Sequence, residues 1–167
     1  KLRRSLIMRS DKSNISSGDY GQSPEIYEYQ AKTANFAASP GVCYLVTKLD
    51  GCAITLPAPN IGDKIKIVLG AVTSNTHSIT CDATTTLLQG YALMWDAVDA
   101  TPAQHKVFAP DESNDDAFSM NGTTTGISAV VELVGVQNNE AGTGTAAGRW
   151  HIAAQVAASG TVVTPFA

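Results

Sequence analysis

Charged side chains are scarce in this sequence. Only 16 % of the 167 residues are Asp, Glu, Lys or Arg, against about 25 % in an ordinary soluble domain. Surface helices carry Lys, Glu, Arg and Gln on their polar face, so a helical bundle is excluded as the main architecture. The polar surface must come from Thr, Ser, Asn, Gln and Gly instead, and β-branched Thr and Val suit pleated strands. Long apolar runs are missing too. No stretch reaches the ~18–20 residues of a helical membrane span, so no membrane partner is expected. Leu6-Ile7-Met8 is far shorter than the ~7–15-residue apolar core of a signal peptide. Hydrophobic residues still make up 44 %, enough for a packed core and against global disorder. The length fits one domain, or one domain with a tail. The first residue is Lys1 rather than methionine, which predicts a chain that starts inside its gene product.

Cysteine is limited to Cys43, Cys52 and Cys81, a number that cannot pair fully within one chain. Cys43 and Cys52 flank Asp50-Gly51, which reads as a two-residue hairpin turn. In that register Leu49 faces Cys52 and the partner of Cys43 lies beyond Pro57, so a Cys43–Cys52 disulfide does not fit. All three are expected to be small buried hydrophobes in a reduced setting.

Motifs of catalysis are missing as well. There is no G-x-S-x-G, H-E-x-x-H, C-x-x-C or phosphate loop. His77, His105 and His151 carry no local motif and are expected at the surface or at strand edges. The chain is therefore not expected to be an enzyme or to hold a cofactor. The most acidic stretch, Asp111-Glu112-Ser113-Asn114-Asp115-Asp116, has oxygens of the kind that bind Ca²⁺. It fails the EF-hand spacing, because Asp116 stands where the turn glycine belongs and Gly122 where the bidentate Glu belongs. A solvated loop is the expectation there, with a calcium site as the alternative. Aromatic residues are only 7 %. Tyr44, Tyr91, Trp95, Phe108, Phe118 and Trp150 fall mostly in strand patterns and are expected to pack in the core, with a sugar platform as the alternative. Trp150 is core if it shares a face with Ile152.

What the chain does have is a division of charge. Residues 1–12 carry Lys1, Arg3, Arg4, Arg9 and Lys12 against Asp11 alone, a local excess of four positive charges. The other 155 residues carry six basic and fourteen acidic side chains. A cationic arm, residues 1–24, thus precedes an acidic body, residues 25–167. The arm lacks the interleaved aromatics that stack on bases, and the body repels phosphate, so nucleic acid is not the expected partner. Docking on a protein surface fits better, with Lys1, Arg3, Arg4, Arg9 and Lys12 as charged contacts and Leu6, Ile7 and Met8 as apolar anchors.

The body reads as short strands. They are predicted at 25–29, 42–49, 53–56, 64–69, 77–81, 87–95, 104–109, 118–120, 128–136 and 149–157, with 31–40 open to one helical turn. Residues 64–69 alternate at period 2, as in a sheet with one buried face. Pro57 and Pro59 stop the strand before them, and Gly62-Asp63 and Asn121-Gly122 are turn signals. Short strands at this spacing predict an all-β domain, a β-sandwich or jelly roll. The lack of a fixed period argues against a β-helix.

The run Ala53-Ile54-Thr55-Leu56-Pro57-Ala58-Pro59-Asn60-Ile61-Gly62-Asp63-Lys64-Ile65-Lys66-Ile67 resembles the ITLP-x-P-x-x-G hairpins of small bacteriophage structural proteins, notably head decoration proteins of marine tailed phages. Gly41-Val42-Cys43-Tyr44-Leu45-Val46 and the stretches from Gly148 to Ile152 and Gly160 to Phe166 share the likeness, which covers about residues 35–167. It brings no catalytic residues. It implies a homotrimer on the outer capsid surface, in contact with the major capsid protein, and an arm reaching across neighbouring subunits. The strongly cationic arm departs from the Thr/Ala/Gly-rich arms of that group. A receptor- or carbohydrate-binding tip of a phage fibre or spike is the alternative, although no coiled-coil or repetitive shaft precedes the domain.

Overall fold

The computed structural model describes residues 27–70, 75–82, 86–96, 105–111, 115–121, 128–137, 148–158 and 162–167. Among them the chain is all-β and without helix. Its strands are β1 (Glu28–Lys32), β2 (Phe36–Ala37), β3 (Val42–Val46), β4 (Ala53–Leu56), β5 (Lys64–Leu69), β6 (Thr76–Cys81), β7 (Leu87–Asp96), β8 (His105–Phe108), β9 (Ala117–Asn121), β10 (Ser128–Gln137) and β11 (Arg149–Ala158). A seven-stranded sheet runs β1-β3-β5-β10-β11-β7-β8, and a four-stranded sheet runs β2-β4-β6-β9. The sandwich expected from strand spacing is present. The β2 strand replaces the helical turn allowed at 31–40.

Two hairpins expected from the sequence do not form. β3 lies in the large sheet and β4 in the small one, so Asp50-Gly51 carries the chain across the sandwich rather than back along one sheet. The same holds for the ITLP run, where Pro57 to Asp63 connects β4 to β5 of the opposite sheet. The first six strands alternate between the sheets. As a result β1, β3 and β5 pair in parallel, and so do β2, β4 and β6. Parallel neighbours need a crossover, and here each crossover is a strand of the other sheet. The turns of chain between the sheets follow no fixed repeat: Glu28 pairs with Val42, 14 residues on, but Val42 pairs with Ile65, 23 residues on.

One core lies between the sheets. Ile65, Ile67 and Leu69 of β5 and Val131 and Leu133 of β10 share a buried cluster with Ile54, Leu56, Ile79 and Phe118 of the small sheet. Trp150 and Ile152 are both fully buried, as a shared face requires. The Trp150 indole N–H donates to Pro57 O at 3.0 Å and ties β11 to the β4–β5 connector. Phe36 and Tyr44 meet across the sheets with ring centroids 4.6 Å apart. The edge of β9 is covered by the last residues: Ser119 N donates to Pro165 O, and Ala117 exchanges bonds with Ala167 in both directions.

Gly90 shows how tightly β7 and β11 fit. Its φ is +118°, and a Cβ there would stand 2.1 Å from Ile152 O. We expect Gly90→Ala to cost about 3 kcal/mol or more, combining overpacking with an unfavourable φ, read as a lower urea midpoint.

His77 is a second correction. It is fully buried on β6, not at a surface or strand edge. Its Nε2 bonds Gly70 O at 3.2 Å, which requires the proton on Nε2 and leaves a buried Nδ1 with no partner among the described residues. Burial holds its pKa below the ordinary 6.5, and the Lys48 ammonium pushes the same way against the Gly70 bond. The unfolded chain therefore takes up the proton first, so stability present above the unfolded value falls as pH drops through it. Urea midpoints should fall between about pH 7.5 and 5.5, and His77→Leu should remove most of that slope.

Candidate interaction face on the large sheet

A strand buried on one side alternates apolar and polar residues. β4 and β6 obey this rule: outside the core they present Ala53, Thr55, Ser78 and Thr80, which suit water. Strands β3, β10 and β7 do not. Their core positions are apolar, and so are many of the positions pointing the other way.

The register draws the outer face of the large sheet. One row runs from Ala31 through Leu45, Val68, Val130, Gln155 and Leu93 to Val107. The next runs from Tyr29 through Cys43, Lys66, Glu132 and Ala153 to Tyr91. Leu45 and Val130 are each 38 % exposed, Tyr91 45 % and Val107 67 %. Charge in these two rows is confined to Lys66 and Glu132, paired at 2.7 Å. Lys64 and Arg149 stand on the same face toward one end, by strand parity.

Ala153 is small between Glu132 and Tyr91, and this leaves an open groove. It holds about 320 Å³ and is lined by Lys66, Tyr91, Val130, Glu132, Ala153 and Gln155. A neighbouring hollow of about 270 Å³ continues it past Val68, Trp95 and Ser128. Of the six aromatic residues weighed for the core, Tyr44, Phe118 and Trp150 are buried and Phe108 packs against the core from a partly buried position. Tyr91 stands out on this face instead. The sequence carried a signal for it: residues 87–95 and 128–136 are apolar at both parities, which asks for cover on both sides.

Other candidate residues do not join this face. Lys1, Arg3, Arg4, Leu6, Ile7, Met8, Arg9 and Lys12 lie outside the described residues. In the acidic loop, Asp111 N donates to the Asp115 carboxylate and Asp115 N to Asp111 O. Asp115 O and Asp116 O accept from Leu88 N and Cys81 N. This loop end serves as a turn between β7, β6 and the C-terminal residues, while 112–114 lie outside the described residues. Among the described residues no three His, Cys, Asp or Glu side chains are placed to share a metal ion. No helix there is long and apolar enough to cross a membrane.

The chain matches no family model, no curated protein and no solved structure.

The three cysteines are free and buried. Burial raises all three thiol pKa values, that of Cys81 to about 12, while Lys66 partly offsets the rise at Cys43. Thiolate is the reactive form. We expect no labelling by a maleimide on the folded protein at neutral pH and three labels after unfolding in urea, counted by mass spectrometry.

Proposed function

We propose that this chain is a structural virion protein that decorates and cements the outer surface of a bacteriophage capsid, as a homotrimer. In this reading residues 1–24 dock on the major capsid protein or on a neighbouring subunit. The observation that carries it is the contrast between the two outer faces of the sandwich. A face of Leu, Val and Tyr, broken by one ion pair, suits protein contact. The likeness of residues 53–67 to decoration proteins adds to this. Cementing needs no chemistry: many copies, each adding a modest contact, stiffen a shell through multivalent placement. A cationic arm ahead of an acidic body separates the shell-seeking part from the sandwich, and opposite charge steers docking.

A second reading draws on Tyr91. An exposed aromatic ring beside Lys66, Glu132 and Gln155 has the make-up of a sugar-binding shelf. This favours the receptor- or carbohydrate-binding tip of a fibre or spike.

Co-sedimentation with empty phage-type shells separates the two. The expected result is binding to assembled shells and not to free shell subunits. Deleting residues 1–24 should weaken attachment at least about tenfold, as loss of several charged contacts implies, and leave the far-ultraviolet spectrum of the body unchanged. Unchanged attachment would reject the arm assignment. Glycan binding lost in Tyr91→Ala, with no affinity for shells, would favour the tip.

A further inference from the structure

We infer that the outer face of the large sheet is the contact between copies of this chain, centred on the step from Tyr91 down to Ala153. This takes up the oligomer of the reading above and does not need the shell. Three observations select a second copy as the occupant.

The first is shape. Tyr91 is 45 % exposed and stands directly beside the groove over Ala153. A protruding ring next to a hollow of about 320 Å³ gives one surface both halves of a knob-and-hole contact. Any second copy brings the matching half, whether the symmetry is isologous or cyclic.

The second is charge. The centre of the face holds one cation and one anion, Lys66 and Glu132, 2.7 Å apart. A copy of the same face can set its Glu132 near Lys66 and its Lys66 near Glu132. The cationic arm is the alternative occupant within this chain. It would bring its excess of positive charge toward a face that already holds Lys64, Lys66 and Arg149, and like charges repel.

The third is area. Leu45, Tyr91, Val107 and Val130, between 38 % and 67 % exposed, put a run of apolar side chains against water on this one face. A typical monomer's largest patch is about 300–600 Å² and is often functional. A stable contact buries about 800 Å² on each partner, so a contact here has to span several strands of this seven-stranded face.

The test is the mass of the full chain by size-exclusion chromatography with light scattering across a dilution series. The expected wild-type mass is a whole multiple of 17.4 kDa. Val130→Glu should run at the single-chain mass with an unchanged far-ultraviolet spectrum. Tyr91→Ala adds no charge and guards against misfolding of the first variant; it should raise the dissociation concentration about tenfold or more, as for a central aromatic contact. Thr55→Glu, on the outer face of the small sheet, should keep the wild-type mass. A wild-type chain that stays single at every concentration overturns the inference. So does an oligomer that survives both Val130→Glu and Tyr91→Ala. Single-chain behaviour with Tyr91-dependent sugar binding overturns it in favour of a glycan site. An oligomer that dissociates as described but ignores shells upholds it while the capsid reading fails. A monomeric Val130→Glu that still binds shells also upholds it, and assigns the shell contact to another surface.

Discussion

The dry layer between the two sheets is what every other feature depends on. It draws on both sheets and on both halves of the sequence, from Ala38 to Phe166. Because the first six strands alternate between sheets, each turn of chain adds one strand to either side of this layer. Within these six strands backbone groups are satisfied by neighbours from other turns rather than by the next strand in sequence. Most contacts are therefore distant along the chain, which predicts slow folding relative to a helical domain of equal size. It also explains why one fully buried indole, Trp150, reaches across to Pro57 O: the connector it holds sets how β4 and β5 enter opposite sheets.

A layer of this kind leaves two outer faces and four sheet edges to be managed. One edge of the small sheet is closed by the C-terminal residues on β9, and the opposite edge is kept short, since β2 has two residues. Both are ordinary defences against pairing with other chains. The large sheet is treated differently. Its edge strands β1 and β8 are mostly exposed, with Tyr29 and Val107 open at either side. Its outer face carries aliphatic and aromatic residues where the small sheet carries Thr and Ser. Among the described residues, the protection that the small sheet draws from its own chain has no counterpart on the large one.

Much of this architecture was legible in the residues. The alternation of Lys64 to Leu69, the shared face of Trp150 and Ile152, and the stop at Pro57 follow from strand geometry and from the missing N–H of proline. Pairing was not legible. A two-residue Asp-Gly turn is a hairpin signal only if the flanking strands stay in one sheet, and nothing local to Asp50-Gly51 records that β3 and β4 diverge. Gly51 has φ +88° as a turn glycine does, but its crowding comes from Thr76 O, a neighbour brought in by tertiary packing. His77 was misplaced for a related reason. A histidine in a Thr- and Ser-containing strand reads as exposed, yet parity with Ile79 and Cys81 sends it inward. The interaction face was half legible. Apolar residues at both parities of β7 and β10 signal cover on both sides, but the groove beside Tyr91 depends on Ala153, which belongs to another strand.

The contrast between the two sheets also bears on how function is distributed along the chain. A side chain on the core side of β10 is fixed by the packing of Val131 and Leu133, both almost fully buried. One residue away, Val130 and Glu132 face outward from the same rigid ladder. Their backbone is held by the core, so a partner that binds here orders side chains but not chain. Residues held in place beforehand lose less entropy on binding than loop residues do. A ladder held on one side by the core is therefore suited to a lasting contact on the other. In the proposal above the sheet face holds copies together and the cationic arm finds the shell.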